Sequence, residues 1–200
     1  MSAIPRTACA FAFVFLFALP AAGQGARSDV LAEPPEPAPE GPYSFSVEGR
    51  PLDALSDLGI TGSTIDVDPA AWRLSVTGSA AQKPASLSYD DLAVMPRVNR
   101  VSLLICPGFF EDVAEWGGVP VVDLLALAGA SPSWKEIVVT SVDGYPARFS
   151  REEVETHVLF VALTVNGQVL PGEHGYPARL VAEGILGGRW VKWVSSIEVR

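Results

Sequence analysis

Few side chains in this sequence of 200 residues are placed to do chemistry, and one of them is a cysteine. The chain has two, Cys9 and Cys106. Cys106 closes an apolar run from Val98 and is followed at once by Pro107-Gly108. A thiol at such a strand end is a small buried apolar group, an intermolecular link, a reactive nucleophile or a metal ligand. A second group gathers further on. His174 and Arg179 lie in the stretch Gly172-Glu173-His174-Gly175-Tyr176-Pro177-Ala178-Arg179, and Lys192 follows between Trp190 and Trp193. An imidazole, a guanidinium and an ammonium beside glycine-rich loops could hold a small anion such as a phosphate or diphosphate. Glycine lets backbone approach closely, and arginine binds such groups with two parallel hydrogen bonds. The competing reading is a set of surface ion pairs. His157 reads as structural. Two scattered histidines and no CxxC exclude a zinc centre. GxGxxG, P-loop and Gly-x-Ser-x-Gly patterns do not occur.

The rest of the chain must position these groups. It is 48% hydrophobic and 18% charged, which suits a packed core. Lys plus Arg is 14 against 23 Asp plus Glu, a formal net charge of -9. Such a balance argues against nucleic acid and anionic membrane as partners, since both reward positive surface. Residues 1–23 read as a signal peptide: Arg6 marks the n-region, Ala8 to Leu19 the apolar h-region, and Ala21-Ala22-Gly23 the small cleavage residues. A membrane anchor is the outcome if the signal is not cleaved. Cleavage after Gly23 leaves Cys106 as the one thiol. Residues 24–42 read as a Pro/Ala/Glu-rich linker, and residues 43–200 as one domain.

Within that domain, residues 43–70 read as irregular, with one short strand at best. Trp72, Leu74 and Val76 alternate with polar residues in a strand that ends at Gly78. Ser88 caps a helix over Tyr89–Val94, and Val98–Cys106 is a strand with Val101, Leu103 and Ile105 on one face. A loop is expected from Phe109 to Trp116-Gly117-Gly118, then a helix over Val121–Ala128 begun by Pro120 and stopped by Gly129. Strands follow over Glu136–Val142 and Val158–Val165, with a capping box at Ser150 and Glu153 between them. Asn166-Gly167 is a hairpin turn. Ala178–Ala182 is another strand, and Val191 to Ile197 alternate in a last one. Strands and short helices mix without a βαβα rhythm, so the class is α+β with mixed β-sheets.

These pieces carry a resemblance. In order and spacing, the strand into Cys106, Trp116-Gly-Gly-Val-Pro, Asp123-Leu-Leu-Ala-Leu-Ala-Gly, Ser141-Val-Asp-Gly-Tyr145, Val165-Asn-Gly-Gln-Val-Leu-Pro171, His174-Gly-Tyr-Pro-Ala-Arg179 and Gly187-Gly-Arg-Trp-Val-Lys-Trp193 resemble the oxidoreductase molybdopterin-binding domain, the core of the sulfite oxidase family. The resemblance runs from Trp72 to Val199 and is specific as a combination. It implies the sulfite-oxidase-type molybdopterin-binding fold and molybdopterin as cofactor. It implies Cys106 as the thiolate ligand of molybdenum, a soft donor suited to a redox metal. His174, Arg179 and Lys192 match positions that hold the pterin and its phosphate, and Ser141 matches a pterin-contacting hydroxyl. The implied function is a periplasmic oxidoreductase that transfers an oxygen atom on a small-molecule substrate and exchanges electrons with a separate redox partner protein, a haem or membrane subunit.

The chain departs from the family at three places. Residues 43–70 show no clear match to the pterin contacts expected before the first core strand. The sequence stops at Arg200, without the immunoglobulin-like domain that sulfite oxidases add. The leader has a single Arg6 where folded export uses twin arginines. A non-catalytic binding module that has lost the cofactor is the alternative reading, and a thiol enzyme with Cys106 as nucleophile a third. Arg97 and Arg100 precede Cys106, whereas Glu111, Asp112 and Glu115 with Phe109, Phe110 and Trp116 follow it. An acidic, aromatic surround predicts a neutral sulfoxide-like or N-oxide substrate rather than sulfite.

Overall fold

The computed structural model describes residues 43–200. The signal-peptide and linker expectations fall on residues 1–42 and lie outside the described residues. Ten strands and three short helices follow one another as β1 (Leu74–Thr77), β2 (Ala85–Leu87), α1 (Tyr89–Val94), β3 (Val98–Cys106), β4 (Phe110–Pro120), α2 (Val121–Leu127), β5 (Glu136–Ser141), β6 (Pro146–Ser150), α3 (Arg151–Thr156), β7 (Leu159–Val165), β8 (Gln168–Val169), β9 (Arg179–Ala182) and β10 (Val194–Val199).

They form two sheets. The first runs β2-β1-β10-β5-β6, with β1 parallel to β10 and every other pair antiparallel. The second runs β3-β4-β7-β8, and β9 also pairs with β7. Both contribute to one apolar core. Leu74, Val76, Ile137, Val139 and Ile197 come from the first sheet, Ala114, Trp116, Val119, Phe160 and Ala162 from the second, and Leu124 from α2. The class is α+β, as expected.

Local chemistry explains most boundaries. Ser88 and Ser150 each form the reciprocal capping box, with Asp91 and Glu153 as the returning carboxylates. Asn166 and Gly167 both take positive φ, 48° and 72°, and turn β7 into β8.

The expected loop from Phe109 to Gly118 is instead strand β4. It pairs residue for residue with β3, from Val98 opposite Gly118 to Cys106 opposite Phe110, and on its other side with β7. Pro107-Gly108 is therefore the tip of a hairpin. Phe109 N–H donates to Cys106 O at 2.9 Å and Gly108 has φ 80°, which needs a residue without Cβ. Charge obscured the strand, because Glu111, Asp112 and Glu115 interrupt any simple alternation. The glycines obscured it too. A Cβ at Gly118 would overlap Val161 O, and the ladder shifts register between Gly117 and Gly118, so this pair bends the strand.

One further expectation changes, the start of the last strand, and two are filled in. Leu103 and Ile105 pack with Val113, Phe45 and Val47, while Leu104 enters the main core, so the end of β3 is buried on both faces; Val101 is exposed. The last strand begins at Val194, not Val191, because Trp193 takes φ 50° and breaks the extended run. A register shift between Val194 and Ser196 then puts Val194, Ile197 and Val199 on the core face. Residues 43–70 contain no strand, only a 3-10 turn at Leu55–Asp57. They are nonetheless tied down: Val113 N–H donates to Asp53 Oδ2 at 2.7 Å, Asn166 Nδ2 to Asp53 O at 2.9 Å and Gly59 N–H to Asp112 Oδ2 at 2.8 Å.

Candidate cofactor site

The residues singled out from sequence arrive from separate elements. Cys106 ends β3, Ser141 ends β5, His174 closes a 3-10 turn at Gly172–His174, Arg179 opens β9 and Lys192 precedes β10. The structure brings Cys106, His174, Arg179 and Lys192 within electrostatic reach of one another. Ser141 and Lys192 line one cleft of about 270 Å³ with Thr61, Tyr145, Gly187 and Gly188.

The Cys106 side chain is half-buried. The backbone of Gly187 lies against it: a Cβ there would stand 2.5 Å from Sγ. Burial pushes the thiol up from its ordinary range, Asp112 adds to this, and Arg179 and Lys192 only partly oppose it. The free thiol is therefore held protonated, which argues against a standing nucleophilic thiolate.

Arg179 is 5% exposed. Its guanidinium lies 5.1 Å from the Trp116 ring and 5.8 Å from the Trp190 ring, and those indoles meet edge to face at 5.9 Å. One donor, Nη1, reaches His174 O at 3.3 Å. Nε has no partner, and neither does Trp116 Nε1. Burial lowers the Arg179 pKa to about 10, so the group stays charged at neutral pH. A buried cation with an unused donor calls for an anion. Burial, and then Arg179, push His174 below its usual range, so its ring is neutral at pH 7.

Lys192 Nζ donates to Thr61 O at 2.7 Å and Glu173 O at 2.9 Å, and lies 4.9 Å from the Trp193 ring. The positive φ of Trp193 sets this direction, and Trp193 is anchored by Nε1 donating to Gly172 O at 2.9 Å. Burial and Arg179 lower the Lys192 pKa to about 8 from 10.5. A lysine with a lowered folded pKa loses its proton first in the folded state. The unfolded chain then binds more protons between about 8 and 10.5, so this group adds stability as pH rises through that window. Buried Cys106, Tyr89 and Tyr145 are pushed the other way, so the effect is read as a difference. The stability of wild-type apoprotein relative to Lys192→Met is expected to rise from pH 8 towards 10.5 in urea titrations. A pH-independent difference would contradict the buried setting of Nζ.

Several participants take roles that the sequence did not assign them. Residues 43–70, expected to lack pocket contacts, supply Thr61 and Gly62 to the cleft wall and the Thr61 carbonyl to Lys192. Asp112, expected in the loop after Cys106, is buried among the charges acting on Cys106 and Arg179, and burial raises its carboxyl. Trp116, expected on the loop, stacks inside on Arg179. Tyr145 donates from its hydroxyl to Gly188 O at 2.6 Å. The glycines in the Gly187-Gly-Arg-Trp motif were the available signal, since paired glycines mark close backbone approach. Among the described residues, no group of three or more His, Cys, Asp or Glu is placed to hold a metal ion. A metal held through Cys106 would thus have to bring most of its own ligands.

The family model for the oxidoreductase molybdopterin binding domain matches residues 61–200. Mitochondrial sulfite oxidase of Homo sapiens is 30% identical over 167 residues, covering 68% of this chain and 30% of that protein. YedZ1 of Azospira oryzae, named as a protein-methionine-sulfoxide reductase subunit, is 28% identical over 169 residues, 84% of this chain and 63% of the relative. Among solved structures, the sulfane dehydrogenase SoxCD from Paracoccus pantotrophus matches with a TM-score of 0.64 and 30% identity, over 68% of this chain and 40% of that one. The chain spans less than two thirds of each of these relatives.

Proposed function

The chain belongs to the oxidoreductase molybdopterin binding domain family, and from that premise we propose that it is the cofactor-bearing unit of an exported oxidoreductase that moves an oxygen atom on a small neutral substrate and exchanges electrons with a separate redox protein. The residues present fit a molybdenum-bearing pterin. The carrying observation is Arg179, a buried cation with an unpartnered Nε beside the Cys106 thiol. A structural arginine would have its donors satisfied within the protein, whereas one built to receive an anion keeps a donor free.

Each side chain then has a definite task. Cys106 supplies one soft sulfur, and ligation requires it to give up the proton that burial makes it keep. Arg179 and Lys192 supply positive charge to an anionic pterin phosphate, and neutral His174 adds a polar ring without adding charge. Ser141 and the carbonyls and amides of the cleft wall orient polar ring edges. When bound, the cofactor supplies two-electron oxygen-atom transfer. The protein supplies the ligand, the orientation and a partly dry surround.

A cavity of about 290 Å³ at the β3–β4 tip supports the neutral substrate. It is bounded by Cys106, Tyr43, Phe109, Phe110 and Glu111, and no cation among the described residues lines it. Arg50, the cation beside it, is engaged with Glu111 at 3.3 Å. A dianion such as sulfite would find no counter-charge there, whereas a sulfoxide or N-oxide needs none. The name of YedZ1 favours a sulfoxide. That name and the two-part name of SoxCD support a partner subunit, and the pattern of residues 1–23 supports export to the periplasm.

The test is elemental analysis of the full chain from its native host. About one molybdenum atom per chain is expected. None, with the host's other molybdenum enzymes loaded, would leave the binding-module reading instead. A low-micromolar KM for sulfite would overturn the neutral substrate alone.

A further inference from the structure

The contact that confines Cys106 Sγ comes from a turn with little strength of its own. Gly187–Arg189 is a single 3-10 turn with no side-chain cap. It crosses the end of β3, where a Cβ at Gly187 would stand 2.5 Å from Sγ, 2.7 Å from Leu104 Cδ1 and 3.0 Å from Ile105 O. The position of the Gly187 backbone therefore decides where Sγ can point. Isolated 3-10 turns have poor hydrogen-bond geometry and do not hold a position alone.

Two side-chain anchors hold it. Tyr145, from the turn after β5, donates to Gly188 O at 2.6 Å. Arg189 reaches away from the cleft to α3. Its Nη1 donates to Glu153 Oε1 at 2.5 Å and its Nη2 to Glu153 Oε2 at 3.2 Å, with a further bond to Arg148 O. Its guanidinium also lies 4.2 Å from the Phe149 ring. The receiving carboxylate is fixed before Arg189 arrives, because Glu153 is the returning member of the α3 capping box and accepts from Ser150 N–H at 2.8 Å. At 18% and 33% side-chain exposure this is the most shielded ion pair among the described residues. Exposed pairs add little and hold no geometry, whereas a shielded bidentate arginine–carboxylate fork fixes direction as well as distance.

We propose that Arg189, Glu153 and Tyr145 are positioning residues that clamp the Gly187-Gly188 turn onto Cys106 Sγ and so preset the thiol for its metal. The clamp itself rests on geometry; its consequence for the metal rests on the function proposed above. Releasing either anchor lets the turn lift, uncovers Sγ and loosens the site without unfolding the domain.

The test uses the full chain freed of metal. Iodoacetamide alkylation of Cys106 is followed by peptide-resolved mass spectrometry at one pH, beside thermal unfolding. Arg189→Met, Glu153→Gln and Tyr145→Phe are each expected to alkylate about fivefold faster than wild type or more, through local opening. Glu153→Gln keeps a residue able to complete the capping box, so a rise there reports the lost fork and not a lost cap. Arg189→Lys, which keeps the charge but not the fork, is expected to recover part of the protection. Arg151→Met is the control. It removes the α3 surface pair with Glu155, and is expected to change stability without changing alkylation. Unchanged alkylation in both Arg189→Met and Tyr145→Phe would overturn the clamp. Faster alkylation together with lower molybdenum content in protein from the native host supports both the clamp and its purpose. Faster alkylation in a chain whose wild type carries no molybdenum would keep the clamp and sink the metal reading.

Discussion

Cys106→Ser is expected to lower molybdenum content markedly while leaving the fold intact. The two side chains are nearly isosteric, and Cys106 is half-buried against the Gly187 backbone, so the change in folding stability should stay within about 1 kcal/mol. The change in ligand chemistry is much larger. A hydroxyl is a hard, weakly acidic donor that keeps its proton in this partly dry setting, whereas a thiol, even one raised by burial, can be deprotonated by a soft metal. With no cluster of alternative His, Cys, Asp or Glu donors among the described residues, no neighbour is placed to substitute. Elemental analysis beside a urea titration separates the two effects. Molybdenum retained at the wild-type ratio would remove Cys106 from the metal. A domain that unfolds with its metal lost would point instead to a packing role for the sulfur.

Much of this site was legible in the sequence because it is built from local signals. The end of β3 at Cys106, the helix after Pro120, the Ser88 cap, the capping box at Ser150 and the Asn166-Gly167 turn are decided by a few adjacent residues, and the structure places each of them. The convergence of His174, Arg179 and Lys192 was legible too, because cations beside glycine-rich and aromatic motifs are informative in an acidic chain. What was hidden is non-local. Strand β4 is specified by its ladder with β3 and β7, not by its own alternation, and its two glycines read as loop until the Val161 carbonyl opposite is known. The role of Thr61 depends on a carbonyl 131 residues from the lysine that finds it, and no side-chain pattern encodes a carbonyl. The burial of Asp112 was hidden because its partner, the Gly59 amide, lies in a segment with no regular structure. The one-residue turn at Trp193 was likewise invisible. A bulky residue with positive φ is tolerated only because Gly175 lets the chain pass close to Lys192 and the Trp193 indole finds Gly172 O.

Arg179→Met is expected to make the metal-free protein more stable and cofactor binding much weaker, two effects of opposite sign from one substitution. A guanidinium lowered to about 10 from 12.5 is destabilised in its charged form by roughly 3 kcal/mol. The sign follows from linkage. The folded pKa of this base is depressed, so the penalty applies at every pH below about 10, where both folded and unfolded chains carry the proton. Stacking on Trp116 and Trp190 and one 3.3 Å bond to His174 O recover part of it. Methionine keeps an unbranched apolar chain between the indoles and buries no charge. The net gain should be about 1–2 kcal/mol, several degrees in Tm for a domain of this size. Asp112 loses a cation that now draws its carboxyl down; with burial already raising it, it rises further, so the Arg179→Met protein should also lose stability more steeply than wild type as pH rises above the usual carboxylate range. The cost appears when the anion arrives, since the free Nε donor is gone and Lys192 alone must answer the phosphate. Calorimetry of the metal-free chain and molybdenum content of the loaded one read the two halves independently. A Tm that falls by several degrees with molybdenum retained would make Arg179 a structural cation, and its unpaired Nε would then need another explanation. A raised Tm with molybdenum lost would place the reason for burying this charge in the cofactor and not in the fold.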